Sequence, residues 1–447
     1  MDRPGDSRVC RQPINSDEPL EGNYFVAAYP PFSTWSPKHV ADVRKLLLSP
    51  PPSPAAPLGL YVHVPFCMKR CDYCYYLSYA EHTLEQRTEY VNLLIAEARM
   101  YAGSAAFKNR RPSFVYFGGG TPSLLGAELT ERLLDGLRRT FSWGEVREVT
   151  FECAPRSVSD ALVSRLVDGG VTRVSLGVQS FDDHILQLSG RAHLTADVER
   201  AYAAIRRGDF AVVNLDLIVG LPGETEASFL CSVDRSMELD PEMITIYELE
   251  IPYNTPLCRS MHGSGPPAPL PDWDEKRSRL MRAFAQLEGC GYQVRSAYAA
   301  VRDPVRHCFV YQDEQYRGAD VLGLGVASFS YVSGVHFQNL ASLDAYTGAI
   351  GAGELPVHRA YPLNKEEQFV RELVLRLKLG EVNIEHLRDK FGPDLRDCFA
   401  PLLDDLSLRG WLEVDATCVR LTREGLVRAD RIVRSFYLPA HAAVRYC

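Results

Sequence analysis

Between residues 58 and 250, short apolar runs alternate with longer segments whose apolar residues recur at helical spacing. The apolar runs predict strands at 58–64, 113–117, 148–152, 173–176, 211–219 and 243–249. The longer segments predict helices at 89–100, 127–140, 159–168, 196–207 and 227–238. This alternation is typical of βα units on a parallel sheet, and therefore of an α/β fold. In barrels of such units the active site lies at the carboxyl ends of the strands.

The two ends of the chain lack this alternation. Residues 1–57 read as an irregular arm, because the prolines at 50–54 block regular helix and sheet. Residues 361–447 predict helices followed by two short strands at 411–414 and 418–421, a pattern that resembles a winged-helix fold. We therefore expect an N-terminal arm at 1–57, a barrel with its closing segment at 58–360, and a mostly helical, winged-helix-like domain at 361–447.

Winged-helix domains often bind DNA, but the charge of this chain argues against it. The sequence has 49 Lys and Arg against 57 Asp and Glu, a formal net charge of -8. Its C-terminal helices are also acidic at Glu381, Glu385, Asp389, Asp394 and Asp397. Because DNA binding depends on neutralising phosphates with Lys and Arg, we expect no nucleic-acid partner.

Length and composition favour an intracellular enzyme. The chain has 447 residues, 46% of them hydrophobic and 24% charged, which is enough to bury a sizeable core. No apolar run approaches membrane-spanning length, and the first residues lack the apolar stretch of a signal peptide. The 12 cysteines are mostly isolated, as expected of reduced thiols. We expect a cytoplasmic monomer that acts on a small molecule and does not bind membranes.

Three cysteines are grouped directly after the first predicted strand. Cys67, Cys71 and Cys74 have the spacing Cys-x3-Cys-x2-Cys, so one short loop can surround an iron–sulfur cluster. Such clusters normally have four cysteine ligands, and three leave one iron free for a ligand from outside the protein. The alternative is a zinc site, which needs a fourth Cys or His. The local candidate, His63, lies within the predicted strand.

This spacing is that of radical S-adenosylmethionine (SAM) enzymes, and the chain from about Tyr61 onward resembles the oxygen-independent coproporphyrinogen III oxidase family and its paralogues. The resemblance implies a partial parallel (β/α)6 barrel and a 4Fe-4S cluster whose open iron binds SAM. It also implies reductive cleavage of SAM to a 5′-deoxyadenosyl radical, which abstracts a hydrogen atom from substrate. The electron would come from a donor such as flavodoxin or ferredoxin.

Further motifs carry the resemblance along the predicted strands. They are Phe-Gly-Gly-Gly-Thr-Pro at 117–122, Phe-Glu-Cys-Ala-Pro at 151–155, Gly-Val-Gln-Ser-Phe at 177–181, Gly-Arg-Ala-His at 190–193 and Asn-Leu-Asp at 214–216. By resemblance they supply SAM contacts, as does Tyr61 before the cysteines. The assigned set is Tyr61, Gly119, Gly120, Thr121, Glu152, Gln179, Arg191 and Asp216. An Arg fork suits a carboxylate, and Asp216 in an apolar strand needs a partner.

Two departures from the relatives bear on the reaction. The oxidase typically has a cysteine two residues after the third cluster ligand, where this chain has Tyr76. The paralogous heme chaperone typically has His-Asn-x-x-Tyr-Trp before a Leu-Gly-x-Gly segment, where this chain reads His-Cys-Phe-Val-Tyr-Gln at 307–312. Both departures suit the third branch, the class C radical SAM methyltransferases and cyclopropanases.

The sequence therefore favours C-methylation or cyclopropanation of an unsaturated or aromatic metabolite, with two SAM molecules bound together. Oxidative decarboxylation of coproporphyrinogen III is the alternative, and a heme chaperone is a second alternative. The substrate and the catalytic acid or base are not assigned.

Overall fold

The computed structural model of the protein describes residues 18–51, 56–262 and 268–442. Three features of the sequence lie outside the described residues. They are residues 1–17, which include Cys10; the centre of the proline-rich stretch, at 52–55; and Cys447. Among the described helices, none combines the length and the apolar character needed to cross a bilayer.

Six parallel strands form the centre of the structure, in sequential order. They are β1 (Leu58–Val64), β2 (Phe114–Gly119), β3 (Glu148–Cys153), β4 (Arg173–Gln179), β5 (Val212–Val219) and β6 (Met243–Glu248). The helices up to the end of this part are α1 (Val40–Leu48), α2 (Leu84–Ala102), α3 (Gly126–Thr140), α4 (Asp160–Asp168), α5 (Asp183–Leu188), α6 (Thr195–Ile205), α7 (Glu226–Glu238), α8 (Pro256–Met261) and α9 (Trp273–Gly289). The predicted partial barrel is confirmed.

Sequence patterns explain this arrangement locally. The strands are nearly continuous apolar runs because helices cover them, as in β5, where only Asp216 is not fully buried. Helix α2 begins at a capping box in which Thr83 and Gln86 satisfy each other's backbone groups. The apolar face of α3, with Leu133 and Leu137, is completely buried. Because β1 to β6 all pair in parallel, the loops that follow them lie at the same end of the sheet.

A closing segment extends the sheet on both sides of the six strands. Its elements are β7 (Gln293–Val294), β8 (Ala299–Val301), α10 (Val310–Tyr316), β9 (Asp320–Leu324), β10 (Phe329–Val332), β11 (Val335–Asn339), α11 (Leu343–Gly351) and β12 (Val357–Pro362). The order is β12-β11-β10-β9-β1-β2-β3-β4-β5-β6-β8-β7, so the sheet of the described residues stays open. Strand β9 pairs in parallel with β1, the strand that leads to the three cysteines.

The Leu-Gly-x-Gly segment turns sharply after β9. Gly325 has φ +101°, and a Cβ there would lie 2.7 Å from the carbonyl oxygen of His63. Its N–H donates to Glu97 Oε2 at 2.7 Å, and Tyr346 donates to the same oxygen at 2.6 Å. Only glycine allows the backbone of residue 325 to come so close to the His63 carbonyl group. This contact holds the closing segment against the end of β1.

The C-terminal part contains helices around a small antiparallel sheet. Its elements are α12 (Lys365–Leu377), β13 (Glu381–Asn383), α13 (Ile384–Phe391), α14 (Leu395–Leu408), β14 (Leu412–Val414), β15 (Cys418–Leu421), α15 (Arg423–Leu426), α16 (Ala429–Arg434) and α17 (Pro439–Ala442). Two strands were expected here, and the third, β13, pairs with β15. It escaped prediction because only Val382 of its three residues is buried. The domain boundaries themselves stay a prediction.

The N-terminal arm contains a helix, so the expectation of an irregular arm was wrong for α1. Val43 and Leu47, four residues apart, form its buried face and join the barrel core. The preceding residues Val26, Tyr29 and Trp35 instead join the core of the C-terminal helices. The arm therefore links the barrel to the C-terminal part.

Candidate active site

All eleven residues assigned from the sequence line one cavity of about 910 Å³ at the carboxyl ends of the barrel strands. These are Tyr61, Cys67, Cys71, Cys74, Gly119, Gly120, Thr121, Glu152, Gln179, Arg191 and Asp216. The assigned residues come from five strands and the loops that follow them. Their individual ligand roles stay predictions.

The cysteine loop begins three residues after β1. Its backbone is held by a bond from Cys67 N to the Tyr79 oxygen at 3.0 Å and by the Arg70 guanidinium, which donates to the Cys74 oxygen at 3.0 Å. Burial raises the pKa of Cys74 to about 11, and the neighbouring Cys71 thiol adds to the rise. Thiolates crowded in this way are stabilised by a bound cation, so the donor set fits an iron–sulfur cluster.

Two neighbours of the cysteines also suit a cluster. A Cβ on Gly120 would lie 2.9 Å from the Phe66 oxygen and 3.0 Å from Cys67 Sγ, so a side chain there would intrude on the loop. Thr121 Oγ1 lies 3.6 Å from the same sulfur. The Gly-Gly-Gly-Thr stretch therefore brings backbone and a hydroxyl close to the thiolates.

His63 is not placed as a fourth metal ligand. Its Nδ1 lies 3.3 Å from the Tyr61 hydroxyl and its Nε2 lies 3.4 Å from the Leu77 oxygen, so both ring nitrogens face protein partners. Burial lowers the pKa of His63 to about 4. The structure favours the three-cysteine cluster over the zinc alternative at this loop.

Glu152, near the end of β3, is a half-buried carboxylate held by two donors. Tyr116 donates to its Oε1 at 2.5 Å and Gly119 N donates to its Oε2 at 3.2 Å. Burial raises the pKa of Glu152 to about 7, and nearby Asp216 adds to the rise while the two hydrogen bonds oppose it. Tyr116 in turn stacks on Tyr61, with ring centroids 5.9 Å apart.

Asp216 has the partners that its burial requires. Ser175 donates to Oδ2 at 2.7 Å, and Asn214 donates to Oδ1 at 2.8 Å. Burial raises the pKa of Asp216 to about 6, and the two hydrogen bonds oppose the rise. The pKa values of both carboxyl groups therefore lie close to neutral pH. Their hydrogen bonds hold both groups in fixed positions, where they can bind a polar ligand.

Arg191 reaches the cluster loop. Its Nη1 lies 3.2 Å from Cys71 Sγ, and its Nη2 donates to the Gly177 oxygen at 2.9 Å. Its Nε is buried and has no hydrogen-bond partner among the described residues. Gln179, beside it, follows an irregularity in the β4–β5 pairing and has φ +70°, an unusual conformation for a residue with a side chain. Such strain is common where a side chain is aimed at a ligand.

The opposite walls of the cavity were not predicted from the sequence. Aromatic residues dominate them, notably Tyr24, Phe32, Tyr247, Tyr298, Phe309 and Tyr311. Arg359 and Arg371 also line the cavity. Arg371 is almost fully buried, and its Cζ lies 3.5 Å from the centroid of the Tyr331 ring. These residues come from the arm, strand β6, the closing segment and α12, which no local motif joins to the cysteine loop.

Comparison with known families agrees with this geometry. Residues 61–234 match the radical SAM superfamily model, and residues 363–428 match the HemN C-terminal domain model. The solved structure of coproporphyrinogen III oxidase (HemN) from Escherichia coli, a radical SAM enzyme, superposes with a TM-score of 0.79 and 25% identity, covering 92% of this chain and 96% of that chain. The chain is a HemN-like radical SAM protein.

Curated relatives of this radical SAM protein carry two different names. The heme chaperone HemW of Bacillus subtilis is 27% identical over 379 residues, covering 84% of this chain and 98% of the relative. The oxygen-independent coproporphyrinogen III oxidase of Escherichia coli is 27% identical over 405 residues, covering 86% of each. None of these names supports methylation or cyclopropanation, so the main functional expectation from the sequence is not supported and its alternatives fit better.

Membership of the radical SAM superfamily implies a 4Fe-4S cluster and SAM. In the pocket, Cys67, Cys71 and Cys74 would hold the cluster, while Glu152 and Arg191 are charged groups of the same cavity that would bind a zwitterionic ligand. SAM carries both an ammonium and a carboxylate group, which match these two charges.

A pH dependence of SAM binding follows from Glu152. Its carboxylate form, which an ammonium group needs, is lost as the pH falls through about 7. We expect SAM affinity of the cluster-loaded protein to fall about tenfold per pH unit below that value. In Glu152→Gln the loss of SAM affinity below about pH 7 should disappear. Only the loss of affinity that follows protonation of Asp216, below about pH 6, should remain. Equilibrium dialysis with labelled SAM measures both profiles, and identical profiles would exclude a contact between Glu152 and the ammonium group.

Proposed function

We propose that this protein is a radical SAM oxidase that converts propionate side chains of a porphyrinogen to vinyl groups by oxidative decarboxylation. The observation that carries the proposal is one large cavity with the predicted cluster ligands on one wall and aromatic rings and arginines on the others. Its volume of about 910 Å³ lies at the upper end of the range for small-molecule sites.

The aromatic walls suit a large, ring-containing substrate. Tyr311 packs on Tyr116 with centroids 4.3 Å apart, and Tyr247 stacks on Tyr298 at 5.8 Å. Such faces bury ring systems and exclude water from the reacting carbon. The N-terminal arm adds Phe32, stacked on Phe329 at 4.1 Å. A reaction that produces a carbon radical needs this protection.

The substrate-carboxylate patch, which we define as Gln338, Arg359 and Arg371, supplies positive charge. Gln338 and Arg359 are paired across β11 and β12, and Arg359 Nε donates to Gln338 Oε1 at 2.7 Å. Arg371 Nε is buried without a hydrogen-bond partner among the described residues. Porphyrinogen propionates are acidic, and arginine is well suited to bind them.

When bound, the cluster and SAM would supply the 5′-deoxyadenosyl radical that removes a hydrogen atom from the propionate. Loss of carbon dioxide and of one further electron to a one-electron acceptor then gives a vinyl group. The residues of the protein would hold the propionate chain still, keep water away and neutralise the carboxylates that do not react.

C-alkylation with a second SAM stays a second candidate, because Tyr76 occupies the position where the oxidase has cysteine. Tyr76 stacks on Tyr75 at 4.7 Å and lines the cavity with its side chain half exposed. A heme-chaperone role has less support, since Cys308 and Gln312 replace the Asn and Trp of the chaperone motif.

The test uses cluster-loaded protein, reductant, SAM labelled in its methyl group, and coproporphyrinogen. We expect products that are lighter by one carbon dioxide and two hydrogens for each converted side chain, with no label and no S-adenosylhomocysteine. Labelled product with S-adenosylhomocysteine would replace the proposal by alkylation. Tight stoichiometric binding of heme without any turnover would replace it by the chaperone role.

A further inference from the structure

The N-terminal arm meets the barrel at Glu21 and Gly22. Gly22 N donates to the Ile251 oxygen at 2.9 Å, directly after the last parallel strand. The Tyr24 hydroxyl donates to the Glu21 oxygen at 3.2 Å. The backbone of Glu21 is thereby fixed, and its carboxylate faces helix α8.

Helix α8 and the residue that follows it present two metal-ligating side chains to this carboxylate. Cys258 lies in α8, and His262, four residues later, caps the carboxyl end of the helix. His262 Nε2 lies 2.8 Å from Glu21 Oε1, and Cys258 Sγ lies 3.9 Å from Glu21 Oε2. Across residues 18–51, 56–262 and 268–442, these are the donors that group within 4.8 Å of one another as a candidate metal site.

The distances suit a tetrahedral ion. With typical zinc bond lengths, tetrahedral ligands would be separated by about 3.3 Å for nitrogen and oxygen and about 3.5 Å for sulfur and oxygen. The observed separations of 2.8 Å and 3.9 Å differ from these by about half an ångström, which side-chain rotation can absorb. A thiolate, an imidazole and a carboxylate together favour Zn²⁺ over Mg²⁺ or Ca²⁺.

We propose that Glu21, Cys258 and His262 bind one Zn²⁺ ion that fastens the N-terminal arm to helix α8. The fourth position faces solvent beside His262, whose side chain is 65% exposed, and takes water. No redox step is involved, and binding displaces the Cys258 proton to solvent.

The position of α8 gives the ion a structural consequence. Leu257 N, in the first turn of α8, donates to the Asp72 oxygen at 2.8 Å, within the cysteine loop. Tyr24, three residues after Glu21, lines the cavity. The ion therefore holds together the arm that walls the cavity and the helix that supports the cysteine loop.

Metal analysis of the full-length, cluster-loaded protein after exposure to Zn²⁺ and removal of excess ion tests the proposal. We expect one zinc per chain in the wild type and a loss to background in Cys258→Ser and in His262→Ala, with iron content unchanged in both. Cys290→Ser, at an exposed cysteine outside this group, is the matched control and should keep its zinc. A variant lacking Cys67, Cys71 and Cys74 should also keep it, which separates this site from the cluster loop.

Binding of Co²⁺ tests independently whether Cys258 is a metal ligand. Wild-type protein loaded with Co²⁺ should show a thiolate-to-cobalt band that is absent from Cys258→Ser, and Zn²⁺ should raise the thermal midpoint of the wild type but not of Cys258→Ser. Absence of zinc from the wild type, equal zinc in Cys258→Ser, or loss of zinc with the three cluster cysteines would each overturn the proposal.

Discussion

A chain in which Cys67, Cys71 and Cys74 are all replaced by alanine is expected to lose its cluster iron and all reductive cleavage of SAM. The three thiols are the predicted cluster ligands and lie on one loop, and no other cysteine of the described chain is assigned to the cluster. Without thiolates the loop has no soft donors for iron. Iron and sulfide analysis, the broad visible absorption and formation of 5′-deoxyadenosine measure the loss.

The control for this variant replaces the same number of exposed cysteines elsewhere. Cys231, Cys290 and Cys398 are exposed and lie outside the cavity wall, so their replacement by alanine should leave iron content and SAM cleavage unchanged. A full cluster in the Cys67, Cys71 and Cys74 variant would show that the metal is held by other residues.

Arg191→Ala is expected to weaken SAM binding about 10- to 100-fold, the range of one charge-assisted hydrogen bond. The guanidinium borders Cys71 Sγ at 3.2 Å, and its buried Nε has no hydrogen-bond partner among the described residues. It is therefore positioned to bind a carboxylate next to the cluster. Arg191→Lys keeps the charge without the planar fork and should recover part of the affinity.

Arg156→Ala is the matched control, since Arg156 also lines the cavity but is exposed and donates to the Ala192 oxygen. Iron content must be equal in all variants. A change in the SAM affinity measured by dialysis, or in turnover, then reflects SAM binding and not loss of the cluster. Unchanged SAM affinity and turnover in Arg191→Ala would contradict a role in SAM binding. The side chain would then only stabilise the protein through its contacts with Cys71 and Gly177.

The candidate SAM-binding carboxylates were predictable because each interrupts an apolar run. Glu152 is the penultimate residue of β3, and Asp216 lies within β5 between buried apolar residues. The cysteine loop was predictable from spacing alone. Their placement in one cavity follows from the parallel order of the strands, since carboxyl ends of neighbouring strands meet.

Other features depend on contacts between distant parts of the chain. Arg371 on α12 and Tyr24 in the arm reach the cavity only after the C-terminal helices pack on the arm. Helix α1 shows too short an apolar pattern to stand out beside the prolines that follow it. The reaction could not be read from Tyr76, because one aromatic residue lining the cavity is compatible with either decarboxylation or alkylation.

The most direct test of the proposed reaction follows the abstracted hydrogen. Coproporphyrinogen deuterated on the propionate carbons is incubated with cluster-loaded protein, SAM and reductant, and 5′-deoxyadenosine is analysed by mass spectrometry. We expect one deuterium in 5′-deoxyadenosine and vinyl groups in the porphyrin product, in proportion to each other. Unlabelled 5′-deoxyadenosine with an unchanged porphyrinogen would contradict the assignment of this cavity to propionate decarboxylation.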